Sequence, residues 1–245
     1  MRIFLKIEYD GTDFCGWQIQ PNGISVQGEL EKAIYAVTGK KTSVTGSGRT
    51  DSGVHAEGQV AHFDTDGAGI PPEKYAAALN GVLPCGIKII ESGAADADFH
   101  ARFSAKRKTY RYDIYVSKTV RPLKDRYAVN VPFALDETKM NAACAYLIGK
   151  HDFRCFLASN SAVRDTVREI YSAKVERRGD DLSFYVCGNG FLYNMVRIIA
   201  GTLVKIGAGE ARPEFMREVL GGKDRNRAGK TMPARGLTLV SVEYD

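Results

Sequence analysis

Apolar and polar residues alternate from the start of the chain. Residues 2–9, Arg-Ile-Phe-Leu-Lys-Ile-Glu-Tyr, carry the period-two pattern of a strand with one covered face. The period then changes. Val26, Leu30, Ala33, Ile34 and Val37 share one face of a helix over 25–38, with Ser25 to cap its start and Gly39 to end it. Strands are predicted at 42–47 and 58–65, on either side of a glycine-rich turn. Pro71-Pro72 opens a helix to about Asn80, because proline suits a first helical turn, and 86–91 reads as a strand. The order is β-α-β-β-α-β.

The same order returns in the second half. Residues 107–117 form a strand with Tyr110, Tyr112, Ile114 and Val116 on one face. A helix over 136–148 aligns Met140, Ala143, Cys144, Leu147 and Ile148, with Gly149 after it. Strands at 166–177 and 182–189 are joined by Gly179-Asp180-Asp181. A helix over 191–206 aligns Met195, Ile198, Ile199, Thr202, Leu203 and Ile206. A short helix starts near Pro213, and 237–244 closes the chain as a strand. Two such units predict an α+β protein of two ferredoxin-like domains, each an antiparallel sheet with helices on one face. The boundary is expected within 93–106, giving domains of 1–104 and 105–245.

Composition narrows the class. The 245 residues are 44% hydrophobic and 26% charged, as in a folded water-soluble chain. No apolar run approaches the ~18 residues of a membrane span, and the N-terminus lacks a signal-peptide layout. A cytoplasmic protein is expected. Five scattered cysteines without a C-x-x-C, and histidines without helical pairing, give no disulfide framework and no metal site. The net charge of +5 permits a polyanionic partner without requiring one. Its distribution says more. Arg102, Lys106, Arg107, Lys108 and Arg111 surround Tyr110; Lys118, Arg121, Lys124 and Arg126 follow; Lys223, Arg225, Arg227, Lys230 and Arg235 form a late stretch. Cations beside aromatic rings suit nucleic acid, because Lys and Arg meet phosphate while rings stack on bases.

The densest chemistry lies in Gly46-Ser-Gly-Arg-Thr-Asp-Ser-Gly-Val-His-Ala56. Asp51 sits in a turn that holds three glycines, where a backbone can take φ > 0 and another chain can come close. Such a carboxylate is placed either to meet a ligand or to cap its own hairpin. Arg49 points to the same side as Asp51 in an extended turn. It is open to an RNA role or to pairing with Asp64 or Asp66. Tyr110 is a base platform or a core tyrosine; Tyr112 reads as core. Arg197 lies off the apolar stripe of its helix with Tyr193, Asn194 and Gly201, and Gly201 would admit a close neighbour. Trp17 is a packing anchor or an RNA contact. His55 and His62 read as residues that orient the loop. The glycine pairs Gly46-x-Gly48 and Gly207-Ala208-Gly209 lack the third glycine of a dinucleotide cradle, so no nucleotide cofactor is expected.

Gly48-Arg-Thr-Asp-Ser-Gly-Val-His-Ala56 resembles the catalytic signature of the tRNA pseudouridine synthase A family. Four further segments match in order: Tyr9-Asp-Gly-Thr12 with Gly16-Trp-Gln18; Phe99-His-Ala-Arg-Phe-Ser-Ala105; Lys108-Thr-Tyr-Arg-Tyr112; and Asn194-Met-Val-Arg197 followed by Gly201. Ser52 stands where many members have Ala. The resemblance implies a joined sheet, a central basic cleft, a homodimer, tRNA and not DNA as partner, and isomerisation of uridine at positions 38, 39 and 40 of the anticodon stem-loop. It implies Asp51 as the catalytic carboxylate, Arg197 as the cation beside it, Tyr110 as the platform for the target uracil, and Arg49 as a contact to the extruded nucleotide. The Phe99–Ala105 stretch supports the cleft, with Arg102 as a candidate phosphate contact.

The chemistry fits one acid. The reaction moves the ribose C1′ bond from uracil N1 to C5 with no net oxidation and no cofactor. A carboxylate near C1′ can act as a nucleophile, as in retaining glycosidases. Base extrusion is needed because a stacked uridine hides both carbons. Two rivals remain: a non-catalytic RNA-binding protein, against which stands the absence of an aromatic RNP signature, and an RNA or nucleoside glycosidase using Glu57 or Asp64 as a second acid.

Overall fold

A computed structural model of the chain describes residues 1–21, 23–66, 69–158 and 163–244. Its strands are β1 (Arg2–Tyr9), β2 (Thr45–Gly46), β3 (His55–Asp64), β4 (Ile87–Ala95), β5 (Arg107–Val116), β6 (Val129–Val131), β7 (Gly149–Asp152), β8 (Val167–Arg178), β9 (Asp181–Gly188) and β10 (Leu237–Glu243). Its α-helices are α1 (Val26–Thr38), α2 (Tyr75–Asn80), α3 (Pro122–Asp125), α4 (Glu137–Cys144), α5 (Met195–Gly207) and α6 (Phe215–Gly222). The protein is of the mixed α+β kind, and its strand pairs are mostly antiparallel. Among the described residues, no helix is long and apolar enough to cross a membrane.

The chain forms two compact units. The first holds Met1–Lys106 and the segment from Leu239 on; the second holds Arg107–Thr238. The closing strand, expected with the second half, therefore groups with the first. The contacts give the reason. A Cβ on Gly58 would lie 2.4 Å from the Val240 carbonyl oxygen. Lys106 N–H donates to the Glu243 carbonyl at 2.8 Å, and the Tyr244 hydroxyl donates to the Ala101 carbonyl at 2.7 Å.

In the first unit the strand order is β4-β1-β3-β10, with β2 beside β3. The alternation read in β1 buries Ile3, Leu5, Ile7 and Tyr9 on one face. Helix α1 buries Val26, Leu30, Ala33 and Ile34. Burying a Leu, Ile or Val side chain contributes about 1.5–3 kcal/mol, so this stripe holds the helix more strongly than its propensity does. Ser25 Oγ caps the start by accepting from Gly28 N–H at 3.1 Å, and Gly39 ends the helix at φ 71°. The pairing of β1 with β3 slips between Ile7↔Gln59 and Tyr9↔Ala56. The irregularity falls on the first turn of β3 after the glycine-rich loop, where a bulge re-aims side chains.

In the second unit the order is β5-β9-β8-β7, and β6 runs parallel to β5. Gly179, at φ 63°, turns β8 into β9. Helix α5 is buried on nearly every side. It begins at Met195 and not at 191, because Asn194 takes φ 62° and breaks the helical path before it. The side-chain amide of Asn141 on α4 bonds both the N–H and the C=O of Val175, at 2.8 and 2.9 Å, and so docks α4 on β8.

Candidate active site

The loop from Ser47 to Val54 is braced from beneath by buried polar groups. Ser47 N–H donates to the Val60 carbonyl at 2.7 Å. Gln59, fully buried, accepts from Ser47 Oγ at 2.6 Å and donates to the Gly48 carbonyl at 3.0 Å. The Thr50 hydroxyl meets the Tyr9 phenol at 2.7 Å. Burial pushes the Tyr9 hydroxyl up to about 12, so it stays protonated and available as a hydrogen-bond partner at neutral pH. The loop then turns tightly: Val54 N–H donates to the Asp51 carbonyl at 3.1 Å, with Gly53 at φ 78° in the third position. A left-handed third residue is what a type II turn requires, which is why glycine stands there.

A second strand of chain clamps the loop from the side. Trp17 N–H donates to the Thr50 carbonyl at 3.1 Å. Ser52 Oγ donates to the Phe14 carbonyl at 3.2 Å. A Cβ on Gly11 would lie 2.0 Å from the Val54 carbonyl oxygen, so only glycine permits this approach. Gly11 N–H lies 3.0 Å from His55 Nδ1. Asp10 Oδ1 lies 3.2 Å from the same nitrogen and accepts from the Thr12 N–H and hydroxyl at 3.0 and 2.6 Å. His55 thus ties the end of the loop to the Asp10–Thr12 turn. Trp17 is a packing anchor: it is 3% exposed, and its indole lies against Gly46 and 6.3 Å from the Tyr9 ring.

The outcome is a turn with buried shoulders and an accessible tip. Thr50 and Val54 are buried, Asp51 is half-buried, and Arg49 and Ser52 are exposed. Each acid considered as a partner for Arg49 already has a cation beside it: Asp64 has Arg2 at 2.8 Å, and Asp66 has Lys40. A carboxylate fixed on such a turn can attack an electrophilic carbon or accept a proton with little rearrangement.

The second unit holds the other two residues. Tyr110 on β5 pairs with Val186 of β9 and shares its face with Tyr112 and Ile114. It is 8% exposed, and its ring stands edge-on to Phe191 at 5.1 Å. Tyr112 is core: it is fully buried, and its hydroxyl donates to the Pro233 carbonyl at 2.7 Å. Arg197 on α5 donates from Nε to the Met232 carbonyl at 2.7 Å and from Nη1 to Asn194 Oδ1 at 2.6 Å. Gly201 does admit a close neighbour, the Lys230 carbonyl oxygen, 2.0 Å from where its Cβ would be.

Sequence reading missed Tyr9, Ser47 and Gln59 as the support of the loop. A signal existed at Gln59, a polar residue within a predicted strand. Its fully buried side chain could be recognised only once β2 and β3 were paired.

The profile of the tRNA pseudouridine synthase family matches residues 6–104 and 143–245. Among curated relatives, tRNA pseudouridine synthase A of Brevibacillus brevis is 49% identical over 243 residues, covering 99% of each chain. The proteins of the same name from Caldicellulosiruptor bescii and Bacillus pumilus are 46% and 45% identical, over 99% and 100% of each chain. A crystal structure of a Cbf5-Nop10-Gar1 complex aligns with 97% of this chain and 49% of its own at 13% identity, with a TM-score of 0.42, too low to bear on the fold. Matched over most of its length by the profile and over nearly all of it by the relatives, with the Asp51 turn inside the matched region, the chain belongs to the tRNA pseudouridine synthase family, whose enzymes isomerise uridine in tRNA.

Proposed function

We propose that this chain converts uridine to pseudouridine in the anticodon stem-loop of tRNA, at positions 38, 39 and 40, with Asp51 as the catalytic carboxylate. The observation that supports the reading best is the turn itself: an acid at an accessible tip, with buried shoulders and braces to Tyr9, Gln59, Phe14 and Trp17. In the reaction the C1′–N1 bond breaks and a C1′–C5 bond forms. N1 gains a proton, and the proton on C5 leaves to solvent, so nothing is oxidised and no co-reactant is consumed. Asp51 serves by attacking the sugar, by attacking the base, or by removing a ribose proton to form a glycal.

In the same reading Tyr110 stacks on the extruded uracil, Arg49 engages the displaced nucleotide, and Arg197 supplies positive charge to the carboxylate. The two units are ferredoxin-like domains sharing a sheet and a basic cleft, and the enzyme works in the cytoplasm as a homodimer on tRNA and not DNA. Recognition rests on shape and phosphates, because A-form grooves hide base identity.

The test uses a tRNA transcript carrying tritium at uracil C5, incubated with the wild-type chain and with Asp51→Asn, without added cofactor or metal. Release of tritium to water by the wild type alone supports the reading. No release by the wild type while tRNA binding is intact overturns it. Free uracil as the main product would assign a glycosidase instead.

A further inference from the structure

The loop from Asp96 to Ser104 is tied down at many points. Arg2, bonded twice to Asp64, also donates from Nη1 to the carbonyls of Ala97 and Phe99 at 2.8 and 2.7 Å. His62 Nδ1 accepts from Ala101 N–H at 3.1 Å, and the Tyr244 hydroxyl holds the Ala101 carbonyl. The Tyr244 ring lies 4.9 Å from that of Phe99. His100 and Ser104 close the tip on each other at 2.9 and 3.0 Å, while His100 Nδ1 accepts from the N–H groups of Arg102 and Phe103 at 3.1 and 3.3 Å.

What this scaffold presents is an aromatic ring in water. Phe103 is 76% exposed. Its ring rests on that of His100, with centroids 4.4 Å apart, and the Arg102 guanidinium lies 5.6 Å from its centroid. Arg102 precedes Phe103 in the chain and Lys106 follows three residues on, and both are exposed. The acid Asp98, at the other end of the loop, lies in the field of Arg2.

We propose that Phe103 and Arg102 form a nucleotide platform: an unstacked tRNA base lies on the Phe103 ring, and its phosphate meets Arg102, with Lys106 adding charge. This rests on tRNA being the substrate. A base fits better than a second copy of the chain, because one ring between cations suffices for stacking, whereas a specific protein interface covers about 800 Å² per partner.

The experiment measures affinity for a full-length tRNA transcript, together with isomerisation, in Phe103→Ala, Phe103→Leu, Phe103→Trp and Arg102→Gln; urea midpoints check that each variant folds. Loss of one stacked base is expected to weaken binding about 5- to 150-fold in the Ala variant and to raise KM. Leu, apolar but without a π-face, fails likewise. Trp restores affinity, and its fluorescence falls on adding tRNA, whereas Trp17 is buried. If the wild type isomerises tRNA and the Ala and Leu variants bind it within twofold of wild type, the platform is wrong and the proposed function stands. If self-association is lost while tRNA affinity is unchanged, the ring docks a second copy and the platform is equally overturned. If the wild type isomerises no tRNA, the proposed function fails first and takes the platform with it.

Discussion

The Tyr9 phenol and the Thr50 hydroxyl meet at 2.7 Å, in a buried contact that joins the end of β1 to the residue just before Asp51. Tyr9→Phe removes one partner and leaves the Thr50 hydroxyl without its buried bond. Such a loss costs about 1–3 kcal/mol, which a urea denaturation midpoint will register. The loop carries the proposed catalytic acid, so kcat is expected to fall by more than KM rises. A variant with lowered stability and an unchanged kcat would show that Asp51 does not depend on this brace.

Gly201 sets two helical effects against each other. Alanine in place of glycine within α5 would add about 1 kcal/mol of helix propensity. Its Cβ would, however, lie 2.0 Å from the Lys230 carbonyl oxygen. That segment cannot easily withdraw: Gly229 N–H is bonded to Thr202 Oγ1 at 2.9 Å, and Met232 N–H to the Arg197 carbonyl at 3.2 Å. Overpacking costs about 1–3 kcal/mol, so the clash wins and Gly201→Ala lowers Tm. A Tm at or above that of the wild type would mean that residues 229–232 move aside freely.

The elements with strong periodicity were legible. Helix α1 carries its stripe, its Ser25 cap and its Gly39 stop in local sequence, and β1 needs only alternation. What escaped depends on partners far along the chain. β6 and β7 are three and four residues long, too short for a period, and form only because β5 and β8 offer edges. The start of α5 was set by a left-handed Asn194, an angle that side-chain patterning does not encode. In the candidate site, the glycine turn that carries Asp51 was legible because a turn is local chemistry. Gln59 was not, because its value lies in reaching Ser47 and Gly48 across a hairpin. Trp17 stayed ambiguous until its indole could be placed against Gly46.

His62 gives the first unit a pH dependence. Burial pushes its imidazole below the usual 6.5, with the charges of Arg2 and His100 acting the same way and Asp64 opposing them. The native state therefore favours the neutral ring, whose Nδ1 accepts from Ala101 N–H. Below pH 6.5 the unfolded chain takes up a proton that the folded chain resists. Stability is thus fully present above 6.5 and falls as pH drops through the native value. Asp64, held low by Arg2, contributes only in a more acidic window. Urea midpoints measured from pH 7.5 down to pH 5 should decline in the wild type and decline less in His62→Asn, which keeps an acceptor without a titrating ring. Parallel declines would assign the dependence to other groups.

Arg197 separates two explanations of a single residue. Its guanidinium bonds the Met232 carbonyl through Nε and Asn194 Oδ1 through Nη1. A planar fork makes both bonds at once, whereas a lysine ammonium is a point charge on a flexible stem. If positive charge alone matters, Arg197→Lys keeps most of the isomerase activity. If the fork matters, Lys loses it along with the packing of residues 229–232 on α5. The structure favours the fork. Bonds to a charged group contribute about 1.5–3 kcal/mol each, so Arg197→Lys should lower the urea midpoint by an amount that Arg197→Met does not greatly exceed. A misplaced catalytic group costs about 100-fold in rate, and kcat in the Lys variant should fall on that order. A Lys variant with wild-type stability and kcat would show that charge is all the position requires.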